Sequence, residues 1–328
     1  MRIFSGIQPT GRKHLGNYIG AIVQWVAGQD RGEAIYCVVD LHAITVDFDP
    51  ADLRERTYDT AAILLAAGLD PARCILFRQS DVIEHAELAW LLSSVTAYGD
   101  LQRMTQFKDK SAKQRELVSA GLFFYPVLMA ADVLAYRAGE VPVGEDQRQH
   151  LELMRDIAIR FNSRFGEQLV VPEALIPEVG ARIMDLQDPT SKMSTTGSSE
   201  EGLIYVLDEP AQIERKFKRA VTDSGTGIVR AEDKPGISNL IEILAVVRAA
   251  APEQIEREFK DAGYGDFKAA VAAEVIDYLR PVRERYTAIR DDPPALEAIL
   301  ERGARSAASL ASETLADVRA AMGVGPPR

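Results

Sequence analysis

Two segments, far apart in the chain, carry residue types suited to phosphate chemistry. The first, Gly6-Ile7-Gln8-Pro9-Thr10-Gly11-Arg12-Lys13-His14-Leu15-Gly16-Asn17, runs from a short apolar strand into a helix. At such a junction the free backbone N–H groups and the positive end of the helix dipole attract a phosphate. Gly16 permits close approach of a ligand to the backbone, and His14 and Asn17 offer donors to phosphate or ribose oxygens. The spacing matches neither the dinucleotide fingerprint nor the P-loop. The same residues would also make a plain surface turn, with His14 as a helix cap. The second segment, Asp188 to Thr196, sets Lys192 among the hydroxyls of Thr190, Ser191, Ser194, Thr195 and Thr196. A mobile loop of this kind can close on the phosphates of a bound nucleotide. Taken alone, it is better explained as an interdomain linker.

The elements that must position these segments follow from pattern. Ile3 to Ile7 reads as a strand, Asn17 to Ala27 as a helix, and Ala34 to Val39 as a buried parallel strand. Asp49-Pro50 supplies an N-cap followed by proline at the first helical position, and Gly68 ends the helix that begins near Ala51. Cys74 to Phe77 is another strand. Strands separated by helices of this length predict an α/β fold with a doubly wound, Rossmann-like parallel sheet and ligands at the carboxyl ends of its strands. Past about Pro210 apolar residues recur at helical spacing over 211–221, 237–250, 269–289 and 295–322. The expected organisation is a nucleotide-binding domain over 1–205 with a connecting insertion near 103–125, an α-helical domain over 206–322, and a short tail over 323–328. A loop rich in Ser, Thr and Gly, Thr190 to Gly202, joins the two.

Composition sets the outer bounds. The chain has 328 residues, 38 Lys+Arg against 49 Asp+Glu, and a formal net charge of −11. A content of 47% hydrophobic and 27% charged residues excludes a disordered chain. No run of about 18 apolar residues exists to cross a membrane, and the first residues lack the apolar core of a signal peptide. Cys37 and Cys74 are too few for a disulfide framework or a four-Cys zinc site and are expected as buried thiols. The expectation is a soluble, cytoplasmic protein. The acidic balance argues against a generic nucleic-acid-coating protein, but basic clusters occur at Arg12-Lys13, Lys108 to Lys113, Arg215 to Arg219 and Arg280 to Arg290.

The two phosphate-type segments resemble the signatures of class I aminoacyl-tRNA synthetases, HIGH as His14-Leu15-Gly16-Asn17 and KMSKS as Lys192-Met193-Ser194-Thr195-Thr196. Other stretches are similar to bacterial tryptophanyl-tRNA synthetases. They are FSGIQPTG from Phe4, LHAIT from Leu41, RMTQFKDKSA from Arg103, MAADVL from Met129, VPVGEDQ from Val141, GARIM from Gly180, then AVTDS and KPGISNL. The similarity runs nearly end to end. It implies activation of L-tryptophan by ATP to tryptophanyl-adenylate with release of pyrophosphate, then transfer to the 3′ end of tRNA(Trp). It also implies Mg²⁺ bridging phosphate oxygens, a homodimer, and an anticodon-binding role for the helical half. Arg215, Lys216, Lys218 and Arg219 are its candidate phosphate contacts.

The resemblance also assigns residues. Gln8, Pro9, Thr10, Gly16 and Asn17 would meet ATP from the first turn, and Gly144, Glu145 and Asp146 would meet adenosine and ribose. Ile183 would set its backbone against adenine, and Lys192, Met193, Ser194, Thr195 and Thr196 would hold the phosphates. His14, Asn17 and Lys192 would act in catalysis. The family usually has a second lysine where this chain has Thr195, and Lys110, with Lys108 and Lys113 nearby, is the candidate to replace that charge. For tryptophan, Tyr125, Met129 and Asp132 fall at i, i+4 and i+7 of a helix, hence on one face. They bring a ring, a polarizable thioether and a carboxylate able to accept the single indole N–H. Val141 and Val143, two apart on a strand, face the same way, and Gln147, Phe4 and His42 complete the implied pocket. Ordinary core for Met129 and an exposed carboxylate for Asp132 are the plainer readings. Three rivals stand beside this function. A tyrosyl-tRNA synthetase would want a Tyr–Asp pair for a phenol, which is not found around MAADVL. A synthetase-like binding protein without chemistry is suggested by Thr195. A small nucleotidyltransferase would lack the helical half.

Overall fold

The computed structural model describes residues 1–105, 118–144, 147–175, 182–195 and 198–326. Five parallel strands, β1 (Arg2–Ile7), β2 (Glu33–Val38), β3 (Cys74–Arg78), β4 (Glu140–Pro142) and β5 (Glu173–Leu175), form one sheet in the order β3-β2-β1-β4-β5. The order reverses beside β1. Chains leaving β1 and β4 therefore turn to opposite faces and open a crevice at their carboxyl ends, where ligands of such sheets bind. The doubly wound parallel sheet expected from sequence is what forms.

Local chemistry explains the elements that matter. The Pro50–Ala67 helix begins where Asp49 accepts from the N–H groups of Ala51 (2.9 Å) and Asp52 (2.8 Å), with Pro50 in the first turn, and it ends at Gly68 with φ of +116°. The first helix starts earlier than Asn17, at Leu15, because His14 caps it. It then passes through a π turn over Tyr18–Ile22 into Val23–Gly28.

Alternation along β2 sends Ala34, Tyr36 and Val38 into one core and Ile35, Cys37 and Val39 into the other. The first core continues through Ile183 and Met193 into the helices Pro210–Arg219, Pro235–Val247 and Tyr264–Arg290. The change of character past about Pro210 is a loss of strands, and the packing of the first core runs across it. Cys37 and Cys74 are buried free thiols, and burial raises both pKa values, that of Cys74 to about 11.

The last helix, Pro293–Met322, ties the two cores together. Leu296 and Leu300 belong to the first, and Ala304, Ala307, Ala311, Leu315 and Val318 to the second. It therefore crosses over the edge strand β3, covering a strand edge that would otherwise pair with other chains. Gly303 sits at the crossing, where a Cβ would lie 1.8 Å from the carbonyl oxygen of Leu76. Gly303→Ala is expected to force the helix off the strand and cost about 2 kcal/mol, in the range of overpacked cores. Thermal unfolding reads it, and an unchanged melting temperature would mean that the helix is not seated there.

Candidate active site

The turn after β1 is built from inside. Lys13 is buried and its ammonium donates to the carbonyl of Gln8 (2.6 Å) and lies 3.5 Å from that of Thr10, so the Gln8–Thr10 backbone is held from beneath. Burial, then the charge of Arg56, lowers its pKa to about 8, with Asp59 opposing. His14 Nδ1 accepts from the Asn17 N–H and the Asn17 side chain accepts from the His14 N–H, both at 3.2 Å. With Nδ1 an acceptor, the neutral ring carries its proton on Nε2. Burial, followed by the charges of Lys13 and Lys192, lowers the His14 pKa to about 4. At neutral pH His14 is thus an uncharged donor of fixed tautomer.

The second segment folds onto this turn. Leu15 N–H donates to Ile204 (2.7 Å) and Val206 N–H to Lys13 (2.9 Å), so the chain following the Lys192 loop runs antiparallel to His14. Met193 N–H donates to the Ile183 carbonyl (3.0 Å) and Asp185 N–H to the Ser191 carbonyl (2.9 Å), which fixes the backbone on both sides of Lys192. A Cβ at Gly16 would lie 3.1 Å from the His14 ring and 3.7 Å from Met193 Cβ; one at Gly11, whose φ is +64°, would lie 3.2 Å from the Thr195 methyl. The two signatures, read separately in sequence, therefore form one surface. Ile183 and Met193 are buried within it, while Lys192 and Thr195 are exposed. Pro9 is buried, Thr10 exposed and Gln8 half-buried.

Asp132, on the Ala120–Leu134 helix, is 2% exposed and ionised. Burial alone raises its pKa, but the charge and hydrogen bond of His42, then those of His85, outweigh it and hold the carboxyl well below its usual range. His42 Nε2 donates to Oδ2 (2.7 Å), and Gln79 Nε2 (2.7 Å) and His85 Nδ1 (2.8 Å) both donate to Oδ1. Tyr125 meets the His42 ring edge-on at 6.1 Å and pairs its hydroxyl with His150 Nε2 at 2.7 Å. The shared contact with His42 agrees with Tyr125 and Asp132 lying on one helix face. Phe4 is buried and stacks on Tyr136 at 5.4 Å; Val141 is buried, and Met129, Val143 and Gln147 are half-buried. Asp132 is therefore not the exposed helix carboxylate of the plainer reading.

Several expectations change. Gln79 and His85 were not among the sequence candidates; they are two of seven polar residues between Ile75 and Leu92, and nothing in the sequence sets them apart. The Arg12-Lys13 pair is not a solvated patch. Lys13 turns inward, while Arg12 pairs with Asp208 (2.9 Å) and Glu200 (3.2 Å) and covers the Tyr205 ring at 3.9 Å. Lys216 is corrected too. It is 1% exposed with its ammonium 2.7 Å from the buried Asp208, so it cannot reach a tRNA phosphate. Arg215 and Arg219 lie beside Glu201, leaving Lys218 exposed on that helix. Gly144 is exposed at the end of β4. Lys108, Lys110, Lys113, Glu145, Asp146 and Thr196 lie outside the described residues. Among the described residues no group of three His, Cys, Asp or Glu could hold a metal ion, and no helix is long and apolar enough to cross a membrane.

A parallel sheet with this switch point and these two segments at its carboxyl edge is a doubly wound fold of the nucleotide-binding type. The family model for class I tRNA synthetases (W and Y) matches residues 1–280, and the chain belongs to that family. Within it, the chain belongs with the bacterial tryptophanyl-tRNA synthetases. It is 53% identical to tryptophan–tRNA ligase 2 of Streptomyces avermitilis over 100% of this chain and 98% of the relative. It is 50% identical to tryptophan–tRNA ligase of Helicobacter pylori over 98% of each. Among solved structures, tryptophanyl-tRNA synthetase from Mycoplasma pneumoniae superposes with a TM-score of 0.90 at 36% identity, covering 99% of this chain and 98% of the other. The Campylobacter jejuni enzyme, complexed with ADP and tryptophan, gives 0.86 at 34%, covering 99% and 100%.

Proposed function

We infer that this protein activates tryptophan with ATP and transfers it to tRNA(Trp). The observation that carries the choice of amino acid is Asp132, a buried, ionised acceptor on the helix face that also bears Tyr125 and Met129. Indole is a large apolar ring with one donor, and this is the arrangement that would take it. The ADP and tryptophan bound to the Campylobacter jejuni relative support both substrates.

In the first step a carboxylate oxygen of tryptophan attacks the α-phosphorus, and the bond to the bridging oxygen of the β-phosphate breaks. Tryptophanyl-adenylate and pyrophosphate result. We assign the nucleotide to Gln8, Pro9, Thr10, Gly16 and Asn17 on one side and to Gly144, Glu145, Asp146 and the Ile183 backbone on the other. His14 Nε2 donates to a phosphate oxygen without bringing charge, while Lys192, with Ser194, Thr195 and Thr196, meets the departing pyrophosphate. Gln147 receives the α-ammonium of tryptophan. In the second step a terminal ribose hydroxyl of the tRNA attacks the acyl carbon and AMP leaves. Magnesium, which the resemblance implies, would enter with ATP and would supply charge to offset its phosphates beside Lys192. Tryptophan-dependent ATP–pyrophosphate exchange, with tyrosine as control, tests the assignment. Exchange that prefers tyrosine, or none with either, overturns it.

The resemblance also carries a homodimer formed through the sheet-bearing half. Ile83, Trp90 and Tyr98, on neighbouring segments there, are 78%, 72% and 68% exposed, large apolar side chains of the kind that interfaces bury. Sedimentation at micromolar concentration is expected to give twice the subunit mass. A fully active particle of one subunit would refute it.

A further inference from the structure

The Asp132 carboxylate is held by residues that are themselves held. Gln79 is fully buried, and its Oε1 accepts from the Leu41 N–H at 3.0 Å, which leaves its Nε2 facing Asp132 Oδ1. The amide cannot turn over without setting its oxygen against a carboxylate. His85 is equally buried. Its Nδ1 faces Asp132 Oδ1 at 2.8 Å and its Nε2 faces the Tyr136 hydroxyl at 2.5 Å. Because an ionised carboxylate only accepts, Nδ1 must donate, which leaves Nε2 to pair with the Tyr136 hydroxyl. Tyr136 is in turn clamped between Phe4, stacked at 5.4 Å, and Phe77, tilted at 6.0 Å.

Oδ1 thus receives two donors of fixed orientation, whereas Oδ2 receives one, from His42. A carboxylate oxygen has about two acceptor directions, so among the described donors one direction on Oδ2 is left to a ligand N–H. Rotation of the carboxylate would exchange the two oxygens and break three hydrogen bonds at once. We propose that Gln79, His85 and Tyr136 are positioning residues that fix the acceptor direction of Asp132 and thereby set discrimination between an indole N–H and rings of the same shape that lack it. This rests on the tryptophan assignment above. Tyr136 lies at the far end of the chain of bonds and acts through His85.

The test compares tryptophan with its benzothiophene isostere, in which sulfur replaces the N–H, in the ATP–pyrophosphate exchange of the full-length protein. Tyr136→Phe keeps the ring packing and removes only the hydroxyl, so that nothing bonds the far edge of the His85 ring. It is expected to raise the KM for tryptophan about tenfold with kcat little changed, as loss of a charge-assisted hydrogen bond shared by ground and transition states does. The KM for ATP and the kcat/KM for the isostere stay near their starting values. Gln79→Met, which keeps the length and removes the donor, provides a second variant and is expected to show the same selective loss. Equal losses for tryptophan and the isostere in both variants would mean a structural role only, and no loss in either would mean that Asp132 needs no such support. Each result overturns the proposal. Asp132→Asn is run beside them: if it leaves the ratio of the two substrates unchanged, it is the tryptophan assignment that fails.

Discussion

Asp132→Ala is expected to lower kcat/KM for tryptophan by at least about 100-fold, or roughly 2.7 kcal/mol. A site shaped to bond a donor loses that contact, and the substrate N–H is then buried against apolar atoms without a partner. The KM for ATP should move far less, because the residues assigned to the nucleotide include those of the turn after β1, which make no bond to Asp132. The structure adds a second consequence. Three donors, from His42, Gln79 and His85, converge on this carboxylate, so the alanine variant also strands buried polar groups and lowers stability. That stabilisation has a defined pH window. The folded carboxyl is held below its ordinary value of 3.8, so its contribution is present above that value and is lost as pH falls through and beneath it. The acid limb of a stability profile should flatten in the variant. An unchanged tryptophan kcat/KM in a folded Asp132→Ala protein would remove this residue from the pocket.

Lys192→Ala is expected to slow adenylate formation about 100-fold or more while leaving tryptophan affinity nearly intact. Pyrophosphate leaves with several negative charges, so a cation placed to meet it stabilises the transition state more than the ground state. The structure fixes the root of this side chain through the backbone bonds at Ser191 and Met193 and leaves its ammonium exposed. Thr195 contributes a hydroxyl and packs its methyl near Gly11, but it brings no charge. Single-turnover adenylation rates and tryptophan binding by fluorescence separate the two effects. An unchanged rate would place the phosphate contact elsewhere. Lys110→Ala tests whether the missing second lysine is replaced from its segment: slowed adenylation supports replacement, and a silent variant ends that idea. If the unaltered protein shows no tryptophan-dependent exchange and Thr195→Lys restores it, the binding-only reading wins.

How much of this was legible beforehand depends on the range of the interactions concerned. The Pro50–Ala67 helix is bounded by Asp49, Pro50 and Gly68 because caps act over two or three residues, and its limits could be read directly. The same holds for β1, β2 and β3, whose apolar runs are visible, and for the shared helix face of Tyr125 and Asp132, whereas the short β5, with two of its three residues exposed, was not read as a strand. The start of the first helix was missed by two residues because His14 served as a cap as well as a signature residue. Lys13 and Lys216 misled, since a lysine in sequence carries no mark of burial. Lys13 is turned inward by carbonyls three and five residues back, and Lys216 by an aspartate eight residues back that is itself buried only by the packing around Arg12 and Tyr205.

The sequence by itself determined the alternation of strands and helices, the two phosphate-type segments, and the residue types of the tryptophan face. Only the tertiary structure decided what brings them together. The order reversal between β1 and β4 sets the turn after the one strand against the end of the other. The bonds from Leu15 to Ile204 and from Met193 to Ile183 fold residues near 190 onto residues near 14. The crossing at Gly303 draws the end of the helical half back over β3. All four histidines of the chain are buried: His14 caps the first helix, His42 and His85 meet Asp132, and His150 meets Tyr125. Their type was visible from the start. The partners of His42, His85 and His150 were not, because they lie 25 to 90 residues away, and such partners have no signature in local spacing.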